Sequence, residues 1–205
     1  MYVPAHFSVE DRERILDFIR REPFGILVSQ VEGLPFATHV PFVPLSGGEP
    51  LVLGTHVARA NPQWQDADGQ SVLAVFSGPH AYVSPSWYKS ENVVPTWNYV
   101  AVHAYGTFRA IHGRDALLDI VGRYVSYYEA GFESPWKFDP MSDYAKKLAG
   151  AIVGFRIEID RLEGKWKLNQ NQPRERREKV AAALDASDDA NARAVAELMR
   201  LDSTT

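Results

Sequence analysis

The sequence predicts a mainly antiparallel β-barrel with peripheral helices. Three observations point there. Strand-like segments outnumber helical ones over the first two-thirds of the chain, short turn signals separate them, and helical periodicity is confined to the start, the crossovers and the end. No internal repeat or low-complexity linker interrupts the pattern.

Each element has its own signal. Ser8 reads as a helix cap, with Asp11 adding negative charge to the first turn, and Ile15, Leu16, Phe18 and Ile19 recur at helical spacing until Pro23. FGILVSQVEGLPFATHVPFVPL reads as two strands joined at Glu32-Gly33, with Pro41 and Pro44 pushing the second toward a sheet edge or a bulge. LVLGTHV is a third strand. A short helix follows, capped by Asn61 with Pro62 at its first position. SVLAVFSG is a fourth strand, and a long one is expected from about Val94 to Ile111. Helices are expected from Arg114 to about Glu129 and from Met141 to Leu148. GAIVGFRIEIDRLEG alternates as a strand, which KWKLNQNQP extends or leaves. Helices over Pro173 to Leu184 and Ser187 to Arg200 close the chain. The expected division is a barrel domain over residues 1–165 and a helical appendage over 166–205 packed on it.

Composition narrows the chemistry. Cysteine is absent, which excludes disulfides, zinc–thiolate sites, iron–sulfur clusters and cysteine nucleophiles. Net charge is 22 − 26 = −4, so there is no bulk attraction for nucleic acid or anionic membrane. No apolar run approaches the ~20 residues that span a bilayer, and no signal peptide is read at the start, so a cytoplasmic location is expected. The histidines lack metal-ligand spacing, so no metal is expected, and there is no Gly-x-Ser-x-Gly elbow.

Two stretches carry polar chemistry. Between Ala81 and Gly106 stand Tyr82, Trp87, Tyr88, Trp97, Tyr99 and Tyr105, interleaved with Ser84, Ser86, Thr96, Asn98 and His103. Side chains alternate along a strand, so Thr96, Asn98, Val100 and Val102 share one face and Trp97, Tyr99, His103 and Tyr105 the other. An aromatic face of this kind serves a core, a planar ligand or a subunit interface. The second stretch is THVARANPQW. Its Thr55, His56 and Arg59 sit where a strand turns toward a helix, a place suited to phosphate.

The motifs MYVPAHF, ATHVPF, GTHVARANPQW, GPHAYVSPSWY, VPTWNYVAVHAYG and IVGFRIEIDRLEGKWKLNQNQP occur in that order. By them the chain resembles the PaiB family, the FMN-binding negative transcriptional regulators. That family is similar to the wider FMN-binding split barrels, which include pyridoxamine-phosphate oxidases and flavin reductases. One departure stands in KLNQNQ, where the family's pattern has Ser in place of Asn169 and a basic residue in place of Gln172.

The resemblance implies a split β-barrel that forms a homodimer with FMN at its interface. The FMN phosphate is then expected on Arg59 and Thr55, with His56 nearby, and Lys165 or Lys167 is the alternative seat. Ser86, Trp87, Tyr88, Thr96 and Asn98 are then expected around the ring. The function implied is negative transcriptional regulation. A flavin-dependent oxidoreductase is the alternative, because bound FMN carries redox chemistry by itself. Direct DNA binding has thin support. Residues 161–179 carry seven basic and three acidic side chains, yet the joint between the last two helices carries Asp185, Asp188 and Asp189.

Overall fold

The computed structural model describes residues 1–46 and 48–202. Among them, eight strands form one sheet: β1 (Ser8–Val9), β2 (Phe24–Val31), β3 (Leu34–Pro41), β4 (Val43–Ser46), β5 (Leu51–Ala58), β6 (Ser71–Val83), β7 (Thr96–Ala110) and β8 (Ile152–Lys167). Their order is β3-β2-β6-β7-β8-β5-β4, with β1 paired to β8. The helices are α1 (Arg12–Arg21), α2 (Gln63–Ala67), α3 (Arg114–Glu129), α4 (Asp143–Ala149), α5 (Arg174–Asp185) and α6 (Ala190–Leu201). No helix among the described residues is long and apolar enough to cross a membrane.

Local chemistry explains most boundaries. Glu32 and Gly33 both take positive φ, 51° and 77°, as a two-residue hairpin turn requires, and β2 and β3 pair from Val31↔Leu34 outward. Pro41 and Pro44 lie in β3 and β4, the two ends of the sheet order, and the β4–β5 register shifts between Pro44 and Ser46. The first helix starts later than its Ser8 signal suggests. Asp11 is the cap: its Oδ1 accepts from the amides of Glu13 (3.0 Å) and Arg14 (3.2 Å), while Ser8 is drawn into β1 against Lys165. The last helix starts at Ala190 rather than Ser187, and Asp189 caps it by accepting from the Asn191 amide at 2.9 Å. KWK extends β8 through Lys167.

The chain divides into two compact units. One comprises residues 1–18, 77–102 and 163–205. Here Phe18 meets Trp166 edge-on at 5.3 Å, and Gly78 leaves room for the Phe18 ring, since a Cβ would lie 2.7 Å from it. Helices α5 and α6 bury Val180, Leu184, Val195 and Met199. The Asp202 carboxylate accepts from Arg14 (3.1 Å) and faces Arg177 at 3.6 Å.

The other unit comprises residues 19–76 and 103–162. Phe42, Phe76, Phe108 and Phe155 fill its core, with Phe108 stacked on Phe155 at 4.5 Å. Gly106 is required by close approach: a Cβ there would lie 2.3 Å from the Glu158 carbonyl oxygen. Buried Gln63 ties α2 to β2 by donating to the Leu27 carbonyl (3.1 Å) and to Ser29 Oγ (2.9 Å). Leu117 and Leu118 of α3 pack with Ala145 and Ala149 of α4.

Candidate functional site

Thr55, His56 and Arg59 lie in the second unit. Thr55 points inward, is fully buried, and its Oγ1 has no hydrogen-bond partner among the described residues. His56 alternates to the opposite face and is half-buried. Its ring meets Tyr124 of α3 edge-on at 5.5 Å, and its buried Nδ1 likewise lacks a partner among the described residues. Burial lowers its pKa from the ordinary imidazole value, because charge in that place would lose its hydration.

Arg59 leaves β5 and grips the start of β8. Its Nε donates to the Gly150 carbonyl (2.7 Å) and its Nη2 to that of Ile152 (2.9 Å). Arg59 also lines a cavity of about 210 Å³ together with Arg114, Gly113 and Gly150, at the first turn of α3. Arg114 carried no signal in the sequence, because only the fold brings the start of α3 to Arg59. Asn61, the expected cap, does accept from the Gln63 amide (2.9 Å), and its Nδ2 donates to Thr38 Oγ1 (2.9 Å).

Ser86, Trp87, Tyr88, Thr96 and Asn98 lie in the first unit. Pro85 opens a 3-10 turn over Pro85–Tyr88; Ser84 Oγ accepts from the Ser86 amide, and Lys89 ends the turn at φ 48°. Ser86 is exposed and Trp87 half-buried. Tyr88 is buried, and its hydroxyl accepts from Nδ2 of buried Asn169 at 2.9 Å. Asn169 takes φ 63°, a left-handed conformation that Asn tolerates better than most residues. The KLNQNQ segment is held further by Gln170, whose Oε1 accepts from the Leu168 amide and whose Nε2 donates to the Trp166 carbonyl, both at 2.7 Å.

Thr96 and Asn98 share a strand face and have different surroundings. Thr96 is half-buried and its hydroxyl accepts from Lys167 Nζ. Asn98 is fully buried; its Nδ2 points at Met199 Sδ (3.4 Å) on α6, and its Oδ1 has no partner among the described residues. The opposite face of β7 is more open. Trp97 is 53% exposed and Tyr82 45%, their rings 6.0 Å apart, with His80 beside Trp97 at 6.3 Å. Lys165 Nζ donates to the Tyr2 carbonyl (3.0 Å) and lies 5.3 Å from the centre of the Tyr99 ring.

The family model described as "Putative FMN-binding domain" matches residues 1–161. The chain belongs to this family. It is also 37% identical, over 97% of its length and 96% of the relative's, to the protease synthase and sporulation protein PAI 2 of Bacillus subtilis, so the PaiB resemblance holds. Among solved structures, the flavocytochrome Anf3 of Azotobacter vinelandii superposes with a TM-score of 0.63 at 16% identity, covering 80% of this chain and 72% of that one. The FAD and heme binding protein of Mycobacterium smegmatis superposes at 0.61 and 18%, covering 85% and 79%. The fold is therefore the split β-barrel of flavin-binding proteins, its sheet running open from β3 to β4. FMN is the cofactor of this PaiB-family chain.

The residues present suit FMN chemically. Its phosphate needs cationic and amide donors, which the Arg59–Arg114 cavity supplies in one unit and the Lys165–Lys167 pair in the other. Its ring needs flat apolar surface with polar neighbours, and Trp87, Ser86 and Thr96 present these without full burial.

Proposed function

We propose that this chain acts as an FMN-binding negative transcriptional regulator in the form of a homodimer, with Arg59 and Arg114 holding the FMN phosphate. The observation that carries the phosphate assignment is the small cavity that these two arginines line at the start of a 16-residue helix, where unpaired amides favour an anion. Thr55 and His56 act from behind. Buried Thr55 and half-buried His56 set the end of β5, and so the direction in which Arg59 leaves it. Bound FMN supplies electron transfer.

A dimer interface over Tyr82, Trp97 and His80 agrees with the enrichment of aromatic residues at the centre of such interfaces. The regulatory role rests on family membership and on the naming of the Bacillus subtilis relative for protease synthase and sporulation. Repression by reading DNA with α5 and α6 finds little support. Arg174, Lys179 and Arg200 pair with Glu178, Glu175 and Asp185, Arg177 faces Asp202, and Arg193 donates to the Ser187 carbonyl. Few cations remain there for phosphates.

Titration of the apoprotein with FMN, followed by flavin fluorescence, tests the reading. Arg59→Ala and Arg114→Ala should each weaken binding by about 1.5–3 kcal/mol, the scale of a charge-assisted hydrogen bond. Because Arg59 also holds two carbonyls, Arg114→Ala is the cleaner variant. Unchanged dissociation constants for both would remove the phosphate from this cavity.

A further inference from the structure

We propose that Lys165 and Lys167, with Thr96 and Tyr99 beside them, form a second anion-binding site that takes the phosphate group of a small molecule. The two lysines are two residues apart on β8, so they project from one face, while Trp166 between them points the other way and is buried against Phe18. Lys165 is only 8% exposed. Lysines are almost never buried so far unless a counter-charge is present. Among the described residues neither amine forms an ion pair with a carboxylate. The acid nearest in sequence, Glu163, is engaged by the Met1 amine.

What the amines do have is neutral. Lys165 donates to the Tyr2 carbonyl and lies over the Tyr2 and Tyr99 rings, at 5.7 and 5.3 Å. Lys167 donates to Thr96 Oγ1. An ammonium has three donors, so each keeps others to offer. Burial pulls the Lys167 pKa below the ordinary lysine value, against an opposing effect of Tyr99 and with a smaller contribution from the charge of Lys165. Two like charges held together without a counter-ion cost stability, and a dianion placed between them relieves both burial and repulsion. Lysine serves phosphate as a point charge, and a hydroxyl beside it adds a hydrogen bond.

Two sources supply such a group: a separate phosphorylated molecule bound beside FMN or, where the Arg59–Arg114 assignment fails, the single phosphate of FMN itself. Isothermal titration with inorganic pyrophosphate, applied to both the FMN-loaded and the FMN-free chain, separates them. Lys165→Met and Lys167→Met should each weaken pyrophosphate binding about tenfold or more, the loss of one charge-assisted bond, with Lys167→Arg retaining most of it. Thr96→Val should weaken it less. Binding to the loaded chain assigns the site to a separate molecule. Binding to the free chain alone, with FMN affinity lowered and riboflavin affinity kept in Lys167→Met, assigns it to the FMN phosphate. The inference is overturned if both Met variants bind pyrophosphate and FMN as the unaltered chain does. Failure of the Arg59–Arg114 assignment is read separately, from those two variants.

Discussion

The bond between Tyr88 and Asn169 joins the Pro85–Tyr88 turn to the end of β8, and its strength can be worked out from its surroundings. Both residues are buried, at 3% and 2% exposure, and the donor–acceptor distance is 2.9 Å. Asn169→Gly keeps the left-handed backbone available but leaves the Tyr88 hydroxyl buried without its partner, which costs about 1–3 kcal/mol. Asn169→Ala loses the same bond and adds roughly 1 kcal/mol of left-handed strain. For a chain of this length each kcal/mol moves the melting temperature by about 2–4 °C, so Gly should lower it by roughly 2–12 °C and Ala by a few degrees more. Circular-dichroism melts and urea titrations of Tyr88→Phe, Asn169→Gly and the double variant give the coupling directly. It should be about 1 kcal/mol, with the double variant less destabilised than the sum of the singles. Additivity within about 0.3 kcal/mol, or an alanine variant no worse than glycine, would refute the reasoning.

Other predictions concern neighbouring features. His56 has a folded-state pKa below its unfolded value, so the unfolded chain binds the extra proton. Stability should fall as pH drops through and below the ordinary imidazole value, and His56→Phe should flatten that slope in urea titrations between pH 5 and 7.5, whereas an unchanged slope would place the acid sensitivity elsewhere. Asn98→Leu should leave the apoprotein's melting temperature equal or higher, because the amide has only a sulfur partner and a buried unbonded oxygen to lose; a drop of several degrees would mean that a bonding partner is replaced there. Gly106→Ala should destabilise by several kcal/mol or prevent folding, since its Cβ would collide with backbone rather than with a movable side chain, and a melt close to that of the unaltered chain would disprove the close approach. Trp97→Lys should shift the chain from dimer to monomer in sedimentation velocity at micromolar concentration; a monomer before substitution would end the interface proposal.

Much of the architecture was legible because its signals are local. Positive φ at Glu32-Gly33, the proline-marked edges and the alternation of β7 and β8 all follow from short-range sterics and period-two burial. The errors were of the same range. Ser8 is a good cap by composition, but Asp11 lies closer to the first helical turn and takes the amides, and the last helix starts at Ala190, capped by Asp189, rather than at Ser187. The PaiB membership was legible from ordered motifs, which no single stretch could have carried alone.

The candidate site was legible only as a set of residue types. Sequence alone determined that residue types suited to a phosphate and to a flat ring are present, that no cysteine chemistry is available, and which face of β7 each side chain takes, because alternation depends on nothing beyond the strand itself. Tertiary structure decided what each group is free to do. It committed two donors of Arg59 to carbonyls and set Arg114 beside it. It buried Asn98 under Met199 while leaving Thr96, two residues away, to Lys167. It also drew Asn169 back to Tyr88 across 81 residues of chain. Those outcomes depend on which distant side chain arrives first within about 3 Å of a donor or acceptor, and that distance is set by packing rather than by spacing along the chain.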